Sequence, residues 1–539
     1  MIRSLTEPEA GPADQALPEA NDQEMKARVG EILNRHPAVG LAVGVIRDRS
    51  LAFFYGHGVA DIASGTPVTE DTVFRIGSLT KTVTAIAVMQ LWERGLLDLD
   101  APASNYLRAY KLVPAKATHR PATVRHLLTY TAGLPQAVYL SRAFKPVVGE
   151  TVQFGRRVPA LAEFYRGELH LVAEPGTMHI YSNHSFATLG QIVEDVSGEP
   201  LDRYLTGHIF EPLGMEQTDL LRSERVRGRL ATEYALRSRG PRPIRDCDLI
   251  TAGSGGIYST TADMARYVAA LLGGGASERG SVLKPETLAA MFAPQYQPDP
   301  LLPGVGLAFY RREVGGHLIV EKDGLVRGFA SQMLVAPHAG VGVVAFTNGA
   351  RAAHAWLEPE MLGILSHVLG VQGDLIRAAV PHHPEIWGEL CGWYAFPGSL
   401  RDVQKWAVAG VQVLVRRGQL TLRLVTPVPG LPREFPLHPE DGKDPGLFRI
   451  DLSALGMGTS RVVFSRAPET GTAALHVELP GMPMSFQRQP AMSDPRVWAS
   501  GALGALGIAV AAAAIRRRRA PCKGYGHDRC SSHRALAHR

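Results

Sequence analysis

Residues 76–95 read IGSLTKTVTAIAVMQLWERG, and two side chains there, Ser78 and Lys81, have the types and spacing of a nucleophile and its base. Residues three apart on a helix share a face, so the Lys81 amine can reach the Ser78 hydroxyl. Burial disfavours the charged form of lysine, and a neutral amine can take the proton from a serine that attacks an acyl carbon. A plainer reading fits the same residues: a serine N-cap followed by a surface lysine. Spacing alone leaves both open. A second S-x-x-K occurs at Ser281 and Lys284, where Pro285 predicts the first turn of a helix and leaves Ser281 in the loop before it.

Two further groups of residues can complete such a site. Tyr181-Ser182-Asn183 is the one Y-x-N in the chain. A tyrosine whose pKa is lowered by a nearby lysine can relay a proton, and an asparagine amide can orient a substrate carbonyl. Lys322-Asp323-Gly324 lies on a predicted strand, where the cation faces the site and the glycine lets a substrate lie along the strand. The backbone N–H of Leu325, just beyond that glycine, and that of Ser78 at a helix start can together cradle a developing oxyanion.

In this order, S-x-x-K, Y-x-N and K-x-G, the chain resembles the serine β-lactamase and penicillin-binding protein superfamily. Class C β-lactamases, D-alanyl-D-alanine carboxypeptidases and their esterase relatives are the most similar branch. The phrases VFRIGSLTK, VRHLLTYTAGLP, GTMHIYSNHSFATLG and SGGIYSTTADMARY carry the likeness across about residues 25–370. The resemblance implies an acyl-enzyme serine hydrolase with no metal or other cofactor. Ser78 would be the nucleophile, Lys81 its base and Tyr181 the proton relay to the leaving group. Asn183, Lys322, Asp323 and Gly324 would line the substrate, and the Ser78 and Leu325 amides would form the oxyanion hole. The implied fold class is α+β: an antiparallel sheet with helices on it plus a helical region, the site lying between them. Relatives usually carry Thr, Ser or another neutral residue at the position of Asp323, where a hydroxyl helps bind a substrate carboxylate. An anion there makes an esterase or amidase the preferred reading. The alternatives are a D-Ala-D-Ala carboxypeptidase or β-lactamase and, in a different class, a non-catalytic membrane-tethered binding protein.

The elements that must hold these residues are legible in the patterning. Residues 39–61 alternate as two strands around the polar turn Arg47–Ser50, and residues 317–349 divide into three strands of an antiparallel meander. Val83, Ile86, Ala87 and Leu91 recur at helical spacing after Ser78, with Gly95 at the expected C-terminal cap. Residues 123–135 predict a short helix stopping at Gly133 and Pro135. A stripe of Phe186, Leu189, Ile192, Val193 and Val196 makes a helix that leaves Tyr181 to Asn183 on the loop leading into it, and residues 355–370 make a helix covering the meander. His126 reads as a packed structural histidine. Beyond residue 380, GVQVLVRRGQLTLRL is a hairpin, and further short strands extend to about residue 490. This separate antiparallel β domain is similar to the lipocalin-like modules that some relatives append.

Length and composition bound the remaining choices. With 539 residues, 45% of them hydrophobic and 20% charged, the chain has material for more than one globular domain. Its net charge of +6 is not the mark of a nucleic-acid binder, because residues 516–539 hold eight Lys/Arg against one Asp and the rest is near neutral. The expected partner is a small-molecule or peptide substrate with an ester or amide bond. Cys247, Cys391, Cys522 and Cys530 are too few for a disulfide scaffold, and the tail order Cys522, His527, Cys530, His533 is not a usual zinc spacing. Residues 1–24 read as a disordered lead-in without the apolar core of a secretory signal, before a hydrolase domain at 25–372 and the β domain at 380–490. Val497–Ile515 carries no charge and would make a helix of about 28 Å, enough to span a bilayer core. Arg516–Arg519 would hold the tail on the cytoplasmic side and put the hydrolase outside at the cell membrane. The lack of a visible signal leaves a cytoplasmic or soluble protein open.

Overall fold

A computed structural model of the chain describes residues 21–493, apart from 143–144, 372–375, 377–379, 397–407, 427–430, 432, 441, 456, 467–472, 480–481 and 491–492. The chain divides into two compact units, Met1–Arg488 and Gln489–Arg539. The expected span Val497–Ile515, the basic tail and its Cys/His residues lie outside the described residues. Among the described residues, no helix is long and apolar enough to cross a membrane.

The first unit is built around a seven-stranded antiparallel sheet. In chain order its strands are β1 (Gly40–Arg47), β2 (Ser50–Asp61), β3 (Thr66–Pro67), β4 (Tyr310–Val314), β5 (His317–Val326), β6 (Phe329–Ala336) and β7 (Val341–Thr347). They lie side by side as β4-β5-β6-β7-β1-β2-β3, so the meander joins the N-terminal hairpin through the β7–β1 pair. Central strands β1, β6 and β7 are buried almost throughout, as expected when both faces are covered. One face carries α1 (Asp22–Arg35) and α5 (Ala353–Val368), packing Met25, Val29, Trp356 and Met361 onto Val43, Leu334 and Val343. The other face meets the larger core, which includes α2 (Thr80–Glu93), α3 (Asn183–Ser197) and α4 (Thr261–Leu272). Helix α2 is buried from Thr80 to Leu91, so it meets neighbours all round rather than on one stripe.

Two boundaries differ from the sequence reading. Helix α1 starts at Asp22, inside the predicted lead-in, because Asn21 caps it by accepting from the Gln23 N–H. The helix predicted over 123–135 ends at Leu128: Thr129 Oγ1 turns back to the Arg125 carbonyl, and Tyr130 has φ of 59°. His126 closes the capping box of that helix by accepting the Thr123 N–H, a structural role.

The β region forms a closed barrel of eight strands, each antiparallel to the next: β8 (Gly392–Ala395), β9 (Gly410–Arg416), β10 (Gln419–Val425), β11 (Glu434–Pro439), β12 (Leu447–Asp451), β13 (Thr459–Arg466), β14 (Ala473–Leu479) and β15 (Met482–Gln489). Alternate residues such as Val411, Val413, Leu420, Leu422, Phe435 and Leu437 make one apolar cluster, as the period-two pattern requires.

Candidate active site

The site is set where the start of α2 meets strand β5. A tight turn at Gly77–Leu79 precedes α2, and Gly77 takes φ of 54°. Ile76 anchors the turn from both sides, its N–H donating to Ile257 O at 3.0 Å and its carbonyl accepting from Ser331 Oγ at 2.7 Å. Ser78 does not act as a side-chain cap. Its Oγ instead lies 2.9 Å from Lys81 Nζ and 2.6 Å from the Tyr181 hydroxyl.

Lys81 is completely buried and has two further partners, Asn183 Oδ1 at 2.8 Å and Ser254 O at 2.7 Å. Both are carbonyl oxygens, which can only accept, so each must take one hydrogen of the amine. The third direction points at Ser78. In the charged form it donates a hydrogen there; in the neutral form it presents a lone pair that can receive the serine proton. Burial pulls Lys81 well below the usual lysine range, and the Lys322 ammonium adds to this, while Glu150 and Asp323 oppose it. The neutral form is thereby brought within easier reach than for an exposed lysine.

Tyr181 sits on the loop before α3, which Ser182 caps by accepting from the His184 N–H. The Lys81 and Lys322 Nζ atoms lie 5.0 and 5.3 Å from the Tyr181 ring centroid. The sequence reading has a lysine lowering the pKa of this phenol. Burial, reinforced by Asp323 and opposed only by the hydrogen bond to Ser78, instead pushes Tyr181 up, so the phenol stays protonated and donates to Ser78. Lys322 is likewise fully buried, with its Nζ 4.6 Å from the Tyr310 ring centroid and 2.7 Å from Asp323 Oδ1. Burial would raise the Asp323 carboxyl, but the charge and hydrogen bond of Lys322 hold it below the ordinary value. Half of the Asp323 side chain is open to solvent.

Gly324 and Gly77 let the two segments touch. A Cβ on Gly324 would fall 2.2 Å from Ile76 O and 3.1 Å from Ser78 N, and one on Gly77 would fall 2.7 Å from Leu325 N. The Ser78 and Leu325 amides are therefore carried by two backbones in close contact. The Ser78 N–H belongs to a first helical turn, whose donors lack intrahelical acceptors. Ser281 is remote in role: its Oγ donates to Leu283 O, and Pro285 opens the next helix.

All eight residues singled out in the sequence, Ser78, Lys81, Tyr181, Asn183, Lys322, Asp323, Gly324 and Leu325, thus belong to one connected neighbourhood. The Beta-lactamase family profile matches residues 22–361, the segment that holds every one of them. The chain belongs to the beta-lactamase family. Among curated relatives, it is 28% identical over 317 residues to beta-lactamase-like 1 of Homo sapiens, covering 54% of this chain and 57% of that one, so it spans little more than half that relative's length. It is 29% identical over 356 residues to penicillin-binding protein 4 of Amycolatopsis lactamdurans, covering 63% of this chain and 89% of that one. Among solved structures, the octameric penicillin-binding protein homologue of Pyrococcus abyssi has the same fold, with a TM-score of 0.55 at 22% identity over 86% of this chain and 99% of that one.

Sequence reasoning missed several members of this beta-lactamase-family site. Ser254 contributes only a backbone carbonyl, and Ser331 acts on Ile76 from the neighbouring strand; neither carries a local pattern. Gly77 was visible as the residue before Ser78, but nothing in one sequence tells a glycine of close approach from one of a plain turn. Glu150 is the largest omission. Its carboxylate is buried against Asn183 and Thr251, in a stretch that reads as irregular.

Proposed function

We propose that this beta-lactamase-family hydrolase works through an acyl-enzyme on Ser78, acting as an esterase or amidase on uncharged or cationic acyl compounds. The observation that carries the reading is the convergence of Lys81 Nζ and the Tyr181 hydroxyl on Ser78 Oγ, at 2.9 and 2.6 Å. Neutral Lys81 takes the Ser78 proton as Oγ bonds to the acyl carbon, and the carbonyl oxygen becomes an anion facing the Ser78 and Leu325 amides. Collapse of that adduct breaks the bond to the leaving alcohol or amine. Tyr181 gives its proton to the leaving group and regains one from Lys81, so the amine ends neutral. Water then repeats the sequence in reverse on the acyl-enzyme, releasing the acid and restoring Ser78.

The preference for uncharged substrates rests on the Lys322–Asp323 ion pair. Lys322 is the cation nearest to hand for a substrate carboxylate, and Asp323 already occupies it at 2.7 Å. An incoming carboxylate would have to share that ammonium with a resident anion. The similarity to penicillin-binding protein 4 favours a second reading, a peptidase or β-lactamase acting on cell-wall peptides or β-lactams. Covalent labelling by a fluorophosphonate, lost in Ser78→Ala, tests the acyl-enzyme. Turnover of a neutral aryl ester against a chromogenic cephalosporin separates the two substrate readings. Efficient cephalosporin turnover with no ester hydrolysis would reject the first.

A further inference from the structure

Outside the atoms that touch Ser78, one buried carboxylate lies in line with them. Glu150 follows a short turn and is 1% exposed. Its Oε2 accepts from Asn183 Nδ2 at 3.0 Å and from Thr251 Oγ1 at 2.8 Å. Its Oε1 lies 3.3 Å from His184 Nε2, the next residue of α3. The other end of the same Asn183 amide, Oδ1, accepts from Lys81 Nζ, which reaches Ser78. A chain therefore runs from Glu150 through Asn183 and Lys81 to Ser78.

An asparagine amide has an acceptor end and a donor end, and only one orientation suits Lys81. Reversed, it would point an NH2 at the lysine and an oxygen at the carboxylate, so two donors and two acceptors would face each other in a dry site. A carboxylate can only accept, and it forbids that flip. We propose that Glu150 is a positioning residue of this active site: its carboxylate locks the Asn183 amide with the oxygen toward Lys81, and so holds the amine on Ser78. The inference rests on the reading of Ser78 and Lys81 as nucleophile and base.

The lock also has an electrostatic side. Burial pushes the Glu150 carboxyl up to about 7, against the hydrogen bonds from Thr251 and Asn183 and the pull of Lys81. The titratable groups around it are Lys81 on α2, His184 on α3, and the phenols of Tyr165 and Tyr181. Burial holds His184 neutral, near 3, and both phenols are pushed up and stay neutral, so among these groups Lys81 is the one that can carry a positive charge facing Glu150. Lys81 in turn faces Lys322, Glu150 and Asp323. Removing the Glu150 charge takes away a group that favours the ammonium form of Lys81. The base then becomes neutral at lower pH.

The test is the rate of Ser78 labelling by a fluorophosphonate as a function of pH, which needs no natural substrate. Glu150→Gln keeps an acceptor for Asn183 and Thr251 without the charge, and its acid limb should move about one pH unit lower than wild type. Thr251→Val removes one donor to Glu150 while leaving Asn183 and Lys81 untouched; less charge on Glu150 should move the limb the same way by a smaller step. Glu150→Leu, with no acceptor, should label at least about tenfold more slowly at every pH, and Glu150→Gln should recover part of that loss. Acid limbs of Glu150→Gln and Thr251→Val that superimpose on wild type, or a Glu150→Leu variant that labels at the wild-type rate, would overturn the inference. Ser78→Ala separates this from failure of the underlying reading. Labelling that persists in Ser78→Ala rejects the nucleophile itself, whereas labelling lost there with unmoved pH profiles rejects only the role of Glu150.

Discussion

At the scale of single residues, the chemistry turns on which atoms lack an alternative partner. Ser78 Oγ makes no capping bond, so removing it should leave the turn and α2 intact. We expect Ser78→Ala to keep the wild-type melting temperature within about 4 °C, since the turn is held by its backbone and one lost side-chain acceptor costs about 1 kcal/mol. Labelling and turnover should be abolished. Lys81→Ala should lose about as much activity, at least ~10³-fold, because nucleophile and base act as a unit; it should also lose stability, since Asn183 Oδ1 and Ser254 O would be left without a donor. Turnover surviving in either variant would defeat the proposed chemistry. Asp323 makes a separate prediction about substrate choice. Two carboxylates about 4 Å apart repel by roughly 4 kcal/mol at an intermediate effective dielectric. Solvent reaches half of this side chain and screens the effect, so about a tenfold change is expected. Asp323→Thr frees the Lys322 ammonium and should raise the cephalosporin-to-ester ratio of kcat/KM by that factor. An unmoved ratio would show that the ion pair does not select substrates.

At the scale of elements, the sequence was most informative where burial is one-sided or where a short motif meets its element. The hairpin β1–β2, the meander β5–β7 and the barrel hairpin β9–β10 follow their period-two patterns, and Tyr181 and Ser182 fall on the loop before α3 as expected, whereas Asn183, expected there too, is the first residue of the helix because Ser182 is its cap. The three motifs were legible because each binds a fixed residue type to a fixed offset. What stayed hidden is tertiary: Glu150 and Ser254 matter through partners more than thirty residues away, which no local spacing encodes. Close approach of backbones is equally invisible, and it yields a test. In Gly324→Ala the new methyl would meet the Ile76 carbonyl at 2.2 Å and Ser331 Oγ at 2.3 Å. The strand must then back away from the Ser78 turn, at a cost of about 1–3 kcal/mol, and the Leu325 amide moves with it. Gly363 is the control. It lies exposed in α5 with nothing within 4 Å of an added Cβ, so Gly363→Ala should stabilise by about 1 kcal/mol. Denaturant melts of the two variants should shift in opposite directions, and only Gly324→Ala should lose activity. A Gly324→Ala protein with wild-type stability and rate would mean that β5 and the turn are not held in contact.

At the scale of the whole first unit, the strand that carries Lys322 and Asp323 is tied through its neighbour Glu321 to the barrel. Arg312 on β4 reaches Glu321 on β5 at 3.1 Å and Glu358 on α5 at 2.8 Å, and the charge of Glu478 on β14 also acts on it. The barrel side is seated by Arg461, which donates to the Leu301 carbonyl at 3.2 Å, and by a small buried cluster of Leu302, Leu447 and Val463. One guanidinium thus serves three carboxyl groups, and they cannot all ionise there without cost. Burial pushes Glu358 above its ordinary range; Arg312 opposes this, while Glu321, Asp323 and Glu478 add to it. A carboxyl raised in the folded state binds its proton more tightly there than in the unfolded chain. Its contribution to stability is therefore fully present below its unfolded value near 4.5 and is lost as pH rises through the higher folded value. The wild-type protein should accordingly lose melting temperature between about pH 5 and pH 9 through this group. Glu358→Gln, which cannot ionise, should show a shallower decline over the same range and should converge with wild type at the acid end. Thermal melts at pH 5.5, 7 and 9 decide it. Parallel curves for the two proteins would mean that Glu358 is already ionised beside Arg312, and that the junction of sheet, helix and barrel is held by a simple ion pair.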